Sequence, residues 1–177
     1  NKRVIVTAAP HQSGKDEYLM ILMILALDIE VCYLSAKWTM RRIPIPFIKP
    51  KDIDNQGIPW PLGWLQEIVF RKFGAIPVDR KGNSGQYDSV VQELLKRDNF
   101  LLIITPEGRF DATRFRSSFL YLAKELEAEV MPVQIDYEHD TLQFLGSLNL
   151  DGSEDEVIQR LRICFDGVKG RKSRFKA

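Results

Sequence analysis

His11 and Asp16 are the residue pair in this 177-residue sequence best suited to chemistry. They lie five positions apart, between an apolar run typical of a strand and an apolar run typical of a helix. Histidine can accept a proton near neutral pH and later return it, and a carboxylate can orient its ring. If the two side chains meet, they form a dyad that takes the proton of a hydroxyl group. Two structural alternatives stay open: Asp16 could complete a helix capping box with Ser13, and His11 could be a loop histidine without a task.

Two further polar clusters follow predicted strands. Asp79 and Arg80 come after one apolar run, and Glu107, Gly108 and Arg109 come after another. Ligands of open α/β sheets bind beyond the carboxyl ends of the strands. The guanidinium group of arginine can bind a phosphate group through two parallel hydrogen bonds. We therefore expect the three clusters to share one edge of a sheet, around one cleft. The alternatives are a local ion pair at residues 79–80 and a simple strand-exit turn at residues 107–108.

The order of predicted elements points to an α/β fold. Continuous apolar, β-branched runs are typical of strands that are covered on both faces, and their alternation with helices favours a parallel sheet. Strands are predicted over 3–9, 30–35, 75–78, 100–105 and 130–135, with a late hairpin strand over 142–148. Helices are predicted over about 16–28, 65–73, 87–97, 116–127 and 154–166. These elements predict a single domain over residues 1–177, with a mostly parallel central sheet and helices on both faces.

Two segments depart from this pattern. Residues 41–63 hold five prolines among many apolar side chains, which predicts an insertion that contains no regular helix and no central strand. It either wraps the core or forms a lid or membrane-facing flap. Residues 169–177 hold five basic and no acidic residues, and form either a solvated tail or a patch for anionic lipid headgroups.

The bulk composition excludes some classes of function. The net charge is only +1, and no basic stripe suggests nucleic acid. The two cysteines, Cys32 and Cys164, have no metal-ligand spacing and fit a reducing cytoplasm. The longest apolar stretch, residues 19–27, is too short to span a bilayer, and no signal peptide is visible.

Four motifs together resemble the glycerolipid and lysophospholipid acyltransferase family, which includes bacterial 1-acylglycerol-3-phosphate acyltransferases. They are, in order, the His11 to Asp16 spacing, residues 74–80 (Gly-Ala-Ile-Pro-Val-Asp-Arg), residues 106–108 (Pro-Glu-Gly) and the apolar residues 130–133 around Pro132. The resemblance runs from about residue 4 to residue 168 and is closest to a short branch whose first motif opens with Ala-Pro-His. The chain departs from the family where Arg109 follows Gly108 in place of threonine, and in the longer connection over 41–63.

The resemblance implies an O-acyltransferase of phospholipid biosynthesis that needs no metal and no cofactor. His11 would be the general base and Asp16 its orienting carboxylate. The donor would be acyl-CoA or acyl carrier protein, and the acceptor a lysophospholipid or glycerol phosphate. Arg80 would hold the acceptor phosphate, and Arg109 would supply the guanidinium that the third motif lacks. The substrate-binding residues implied are Gly74, Asp79, Arg80, Glu107, Gly108, Arg109 and Pro132. The enzyme would be cytoplasmic and peripheral to the membrane.

Two other functions fit parts of the sequence. A catalytically inactive lipid-binding protein on the same fold would lack the chemistry but keep the pocket. A nucleotide kinase is suggested by Ser13-Gly14-Lys15 after a strand. A phosphate-binding loop needs a glycine where Ala9 stands, and a serine or threonine where Asp16 stands.

Overall fold

The computed structural model describes residues 2–11, 16, 31–37, 40–43, 58–78, 86–107 and 114–170. In chain order its strands are β1 (Arg3–Ala9), β2 (Val31–Ala36), β3 (Arg42–Ile43), β4 (Ile58–Pro59), β5 (Ala75–Val78), β6 (Phe100–Ile104), β7 (Glu129–Asp136) and β8 (Thr141–Phe144). Its helices are α1 (Gly63–Lys72), α2 (Gln86–Leu94), α3 (Ser118–Leu126) and α4 (Glu154–Ile163). The chain forms two compact units, Val31–Arg97 and the remainder, Asn1–Glu30 with Asp98–Ala177.

The larger unit is built around β1. This strand pairs in parallel with β6 on one side and with β7 on the other, and β8 pairs antiparallel with β7. Six consecutive residues of β1, 4–9, are buried, as are all five of β6. Successive strand residues point to opposite faces, so unbroken burial means that both faces of the sheet are covered here.

Helices of the larger unit bury one apolar face each. In α3 the buried side chains are Phe119, Leu122, Ala123 and Leu126, at the three- and four-residue spacing of one helix face, and this helix contacts β1. Helix α4 begins at a capping box in which the Ser153 side chain accepts from the Glu156 backbone N–H. The Glu156 side chain accepts in turn from the Ser153 backbone N–H.

The smaller unit pairs β2 with β5 in parallel, from Tyr33 opposite Ala75 to Ala36 opposite Val78. Helices α1 and α2 both contact β5. Strands β3 and β4 form a separate two-residue antiparallel ladder. These short strands lie within the proline-rich segment 41–63, whose residues 44–57 are outside the described part of the chain.

The α/β fold with mostly parallel strands, predicted from the sequence, is confirmed. Strands β1 and β5 have the predicted bounds, and β2, β6 and β7 differ from the predicted bounds by one residue at one or both ends. The two-residue strands β3 and β4 were not predicted. Helix α1 begins at Gly63 rather than residue 65, α2 ends at Leu94 rather than residue 97, and α4 ends at Ile163 rather than residue 166. The helix predicted over 16–28 lies outside the described residues except for Asp16, which is helical.

Strand β8 ends at Phe144, earlier than the predicted residue 148, for a local reason. The Leu145 N–H still donates to the Pro132 carbonyl (3.0 Å), and the Leu148 N–H donates to the Val130 carbonyl (2.7 Å). Three steps along this segment therefore match two steps along β7. One extra residue therefore interrupts the regular ladder, as in a β-bulge. The predicted strand over 142–148 is wrong beyond Phe144, although Leu145 and Leu148 still donate hydrogen bonds to β7.

Candidate active site

Three neighbouring parallel strands of the larger unit end at one edge and bring three side chains together. Thr7 of β1 lies opposite Ile104 at the end of β6, and Ala9 at the end of β1 lies opposite Gln134 near the end of β7. His11, Glu107 and Tyr137 each follow one of these strands within three residues. The carboxyl edge of the sheet therefore positions them, as the order of the motifs predicts for His11 and Glu107.

His11 and Asp16 lie within ion-pair distance. The ring atom Nδ1 of His11 is 3.3 Å from Oδ2 of Asp16. Asp16 is fully buried, and the His11 side chain keeps 9% of its surface exposed although its Nδ1 atom is buried. The exposed part of the side chain therefore belongs to atoms other than Nδ1. A general base needs one ring nitrogen directed toward its carboxylate, and the Nδ1 atom of His11 meets that requirement.

Glu107 holds the backbone of His11. Its Oε2 atom accepts a hydrogen bond from the His11 backbone N–H at 2.8 Å, and the residue is buried. The two residues are 96 positions apart, so this bond ties the end of β1 to the turn after β6. Glu107 thus acts on the catalytic candidate through the main chain, and any contact with substrate stays a prediction.

Tyr137 completes the surroundings of Asp16. Its hydroxyl donates to Oδ1 of Asp16 at 2.5 Å, the carboxylate oxygen that is not the one facing His11. Tyr137 directly follows β7, and its own backbone N–H donates to the Lys169 carbonyl at 2.9 Å. Asp16 therefore meets a different side chain through each of its two oxygens.

Two buried carboxyl groups, those of Asp16 and Glu107, lie close to His11. Burial raises the pKa of Glu107, the nearby Asp16 carboxylate raises it further, and the hydrogen bond from the His11 backbone opposes both. Among the described residues, no cluster of three or more His, Cys, Asp or Glu side chains is arranged to hold a metal ion.

Two other predicted substrate-binding residues have clear structural surroundings. Gly74 has a φ of +83°, and a Cβ atom on it would lie 1.9 Å from the Val31 carbonyl oxygen. It is the residue after the C-cap of α1, the position at which glycine is expected to end a helix. Pro132 is buried in the interior of β7 opposite Thr7, and its carbonyl accepts from Leu145.

The remaining predicted residues lie outside the described part of the chain. These are Asp79, Arg80, Gly108 and Arg109, together with residues 44–57 of the proline-rich segment and 171–177 of the basic tail. Their roles stay predictions. Within the part that is described, no helix is both long and apolar enough to cross a bilayer.

Tyr137 was missed by sequence reasoning because it belongs to none of the four motifs. Its distance from Asp16, 121 positions, gives no local signal. One pattern could have singled it out: it is the first polar side chain capable of donating a hydrogen bond after the strand that pairs with β1. That search requires the strand order, which the sequence does not state.

Comparison with known protein families finds a match. The family model described as Acyltransferase matches residues 61–136. The matched region includes the second, third and fourth motifs and ends one residue before Tyr137, whereas His11 and Asp16 precede it. Comparison with curated proteins and with solved structures gave no match.

Proposed function

Because the family model described as Acyltransferase matches residues 61–136, we propose that the chain is an O-acyltransferase that uses His11 and Asp16 as its general base. The family match supports a general acyltransferase activity. The observation that supports this mechanism best is the 3.3 Å approach of His11 Nδ1 to Asp16 Oδ2 at the carboxyl end of the central strand.

The reaction begins with the proton of an acceptor hydroxyl. His11 takes this proton as the hydroxyl oxygen attacks the carbonyl carbon of an acyl thioester. The C–O bond forms, the C–S bond breaks, and the leaving thiolate receives the proton from the imidazolium. The products are an ester and a free thiol, and no covalent acyl-enzyme is needed because both substrates meet in one site.

Asp16 and Glu107 support this step in different ways. The Asp16 carboxylate orients the ring and stabilises its positive charge while the proton is held. Glu107 keeps the His11 backbone in place through its 2.8 Å hydrogen bond. Because Asp16 is fully buried, water screens its interaction with the ring weakly.

The substrates follow from the resemblance rather than from the described geometry. We propose acyl-CoA or acyl carrier protein as donor and a lysophospholipid or glycerol phosphate as acceptor. Arg80 and Arg109 would grip the acceptor phosphate, since a guanidinium matches two phosphate oxygens at once.

We also propose that the protein acts in the cytoplasm at a membrane surface. Helix α1 and the residues beside it expose seven large apolar side chains: Ile58, Leu62, Trp64, Leu65, Ile68, Val69 and Phe73. Exposed Arg41 and Arg71 both bind Glu67, the only acidic residue between 58 and 73, so this surface presents no unpaired negative charge there. An apolar surface with adjacent basic groups suits an anionic membrane.

The test is a screen of acyl donors against acceptors with wild type, His11→Ala and Asp16→Asn. Both variants are expected to lose transfer by roughly 10²-fold or more, the range that loss of a general base implies. The chain offers a matched control, because His139 and Asp136 form a second His–Asp pair at 2.8 Å whose histidine is exposed. His139→Ala should keep full transfer. Undiminished transfer by His11→Ala would refute the proposal.

A further inference from the structure

We infer that Tyr137 is a positioning residue of the transfer, one that sets the Asp16 carboxylate so that it faces His11; this inference rests on the proposed function. The hydroxyl of Tyr137 donates to Oδ1 of Asp16 at 2.5 Å, while Oδ2 of the same carboxylate lies 3.3 Å from His11 Nδ1. The three side chains therefore form a row in which Asp16 is the middle member.

The carboxylate needs such a partner because it is fully buried. A buried charge is costly unless hydrogen bonds replace the water it has lost, and a bond to an ionised acceptor is stronger than one between neutral groups. An aspartate carboxyl group also rotates easily about its last torsion. Once Oδ1 is held by Tyr137, rotation stops and Oδ2 stays directed toward the ring.

Tyr137 can orient Asp16 because hydrogen bonds of its own main chain and of the following turn fix its position. Its backbone N–H donates to the Lys169 carbonyl at 2.9 Å. The Asp136 side chain accepts from the backbone N–H groups of Glu138 and His139, which shapes the turn that follows β7. Because β7 pairs directly with β1, the turn that carries Tyr137 and the segment that carries His11 extend from two adjacent strands.

The inference predicts that Tyr137 acts through Asp16 and does not touch substrate. Tyr137→Phe removes the hydroxyl and keeps the ring. It should lower kcat by about 10-fold to 100-fold, the range for a hydrogen bond to a charged group, and leave the KM of both substrates unchanged. Tyr121→Phe, at an exposed tyrosine on α3, is the matched control and should change neither constant.

A double-variant comparison separates positioning from a purely structural role. In the Asp16→Asn background, Tyr137→Phe should cause no further loss of kcat, because the group it acts through is already disabled. Losses that multiply in the double variant, or a raised KM, would overturn the inference. Thermal unfolding of each variant shows whether a loss of activity reflects a loss of folded protein.

A spectroscopic readout tests the same contact if the wild type shows no transfer, the result that would refute the proposed function itself. The chain has only two histidines, so His139→Asn assigns the ring resonances of His11 in a ¹⁵N-histidine NMR spectrum. Tyr137→Phe should shift the ring resonances of His11, and Tyr121→Phe should not. Unchanged His11 resonances in Tyr137→Phe would overturn the inference whatever the activity.

Discussion

Gly74→Ala is expected to destabilise the fold, and the structure allows its cost to be worked out. Gly74 has a φ of +83°, and an added Cβ atom would lie 1.9 Å from the Val31 carbonyl oxygen, a backbone atom that no rotamer change can move. The Gly74 carbonyl also accepts from the Tyr33 backbone N–H at 3.0 Å. The glycine thus lets the turn after α1 approach β2 at the start of the β2–β5 pairing.

Three costs add at this position. A side chain in the left-handed region costs about 1–2 kcal/mol. Relief of the overlap requires a backbone shift of the kind that costs about 1–3 kcal/mol, and this shift weakens the bond to Tyr33 by about 1 kcal/mol. The expected loss is therefore about 4 kcal/mol. For a protein of this length each kcal/mol lowers Tm by about 2–4 °C, so Tm should fall by roughly 10 °C.

Two other glycines separate these contributions. Gly167 has a φ of +75° with nothing within 4 Å of an added Cβ atom, and Gly146 has open space and no positive φ. Gly146→Ala should be neutral or more stable by about 0.4–1 kcal/mol, because alanine restricts the unfolded chain. Gly167→Ala should show the left-handed cost alone. Urea unfolding measures the free energy of unfolding of each of the three variants.

The result that would refute this reasoning is a Gly74→Ala protein as stable as Gly146→Ala. Such a protein with impaired transfer would assign Gly74 to substrate binding, as the family resemblance implies. A destabilised Gly74→Ala with a normal KM would assign it to the fold.

Two predictions concern other parts of the molecule. Burial raises the pKa of Glu107, so the folded state favours the neutral form of this carboxyl group. The free energy of unfolding of the wild type should therefore fall relative to that of Glu107→Gln as the pH rises from the pKa of Glu107 in the unfolded chain through its raised pKa in the folded protein. Urea unfolding across this pH range measures the difference, exposed Glu125→Gln is the control, and a pH-independent difference would contradict the assignment. On α1, the double variant Trp64→Ser with Phe73→Ser removes two side chains that are 57% and 53% exposed, and should bind vesicles of phosphatidylglycerol and phosphatidylcholine at least roughly tenfold more weakly. Ile163→Ser, at a 66% exposed position on α4, is the control, and equal binding by all three proteins would refute a membrane contact through α1.

Short-range patterns in the sequence were sufficient to predict most of the strands and helices. The continuous apolar runs of β1 and β6 predict strands covered on both faces, and both are buried along nearly their whole length. Gly74 correctly predicts the end of α1, because a left-handed residue stops a helix whatever surrounds it. The early end of β8 could not be predicted, because the extra residue exists only relative to the register of β7.

Some contacts of the candidate site could likewise be predicted from the sequence, and others could not. His11 and Asp16 are close in sequence, so a strand followed by a helix is enough to suggest that they meet. Glu107 was predicted to lie at the same edge, but its bond to the His11 backbone depends on β6 pairing with β1. This bond to the main chain is decided by where the buried carboxyl group finds a hydrogen-bond donor.

By itself the sequence determined the α/β class, the placement of most strands and helices, and the local pairing of His11 with Asp16, since each depends on residues a few positions apart. Only the tertiary structure decided which side chains surround that pair. Tyr137 reaches Asp16 across 121 positions because β7 lies beside β1, and strand order is set by packing of the whole sheet rather than by any short stretch of residues.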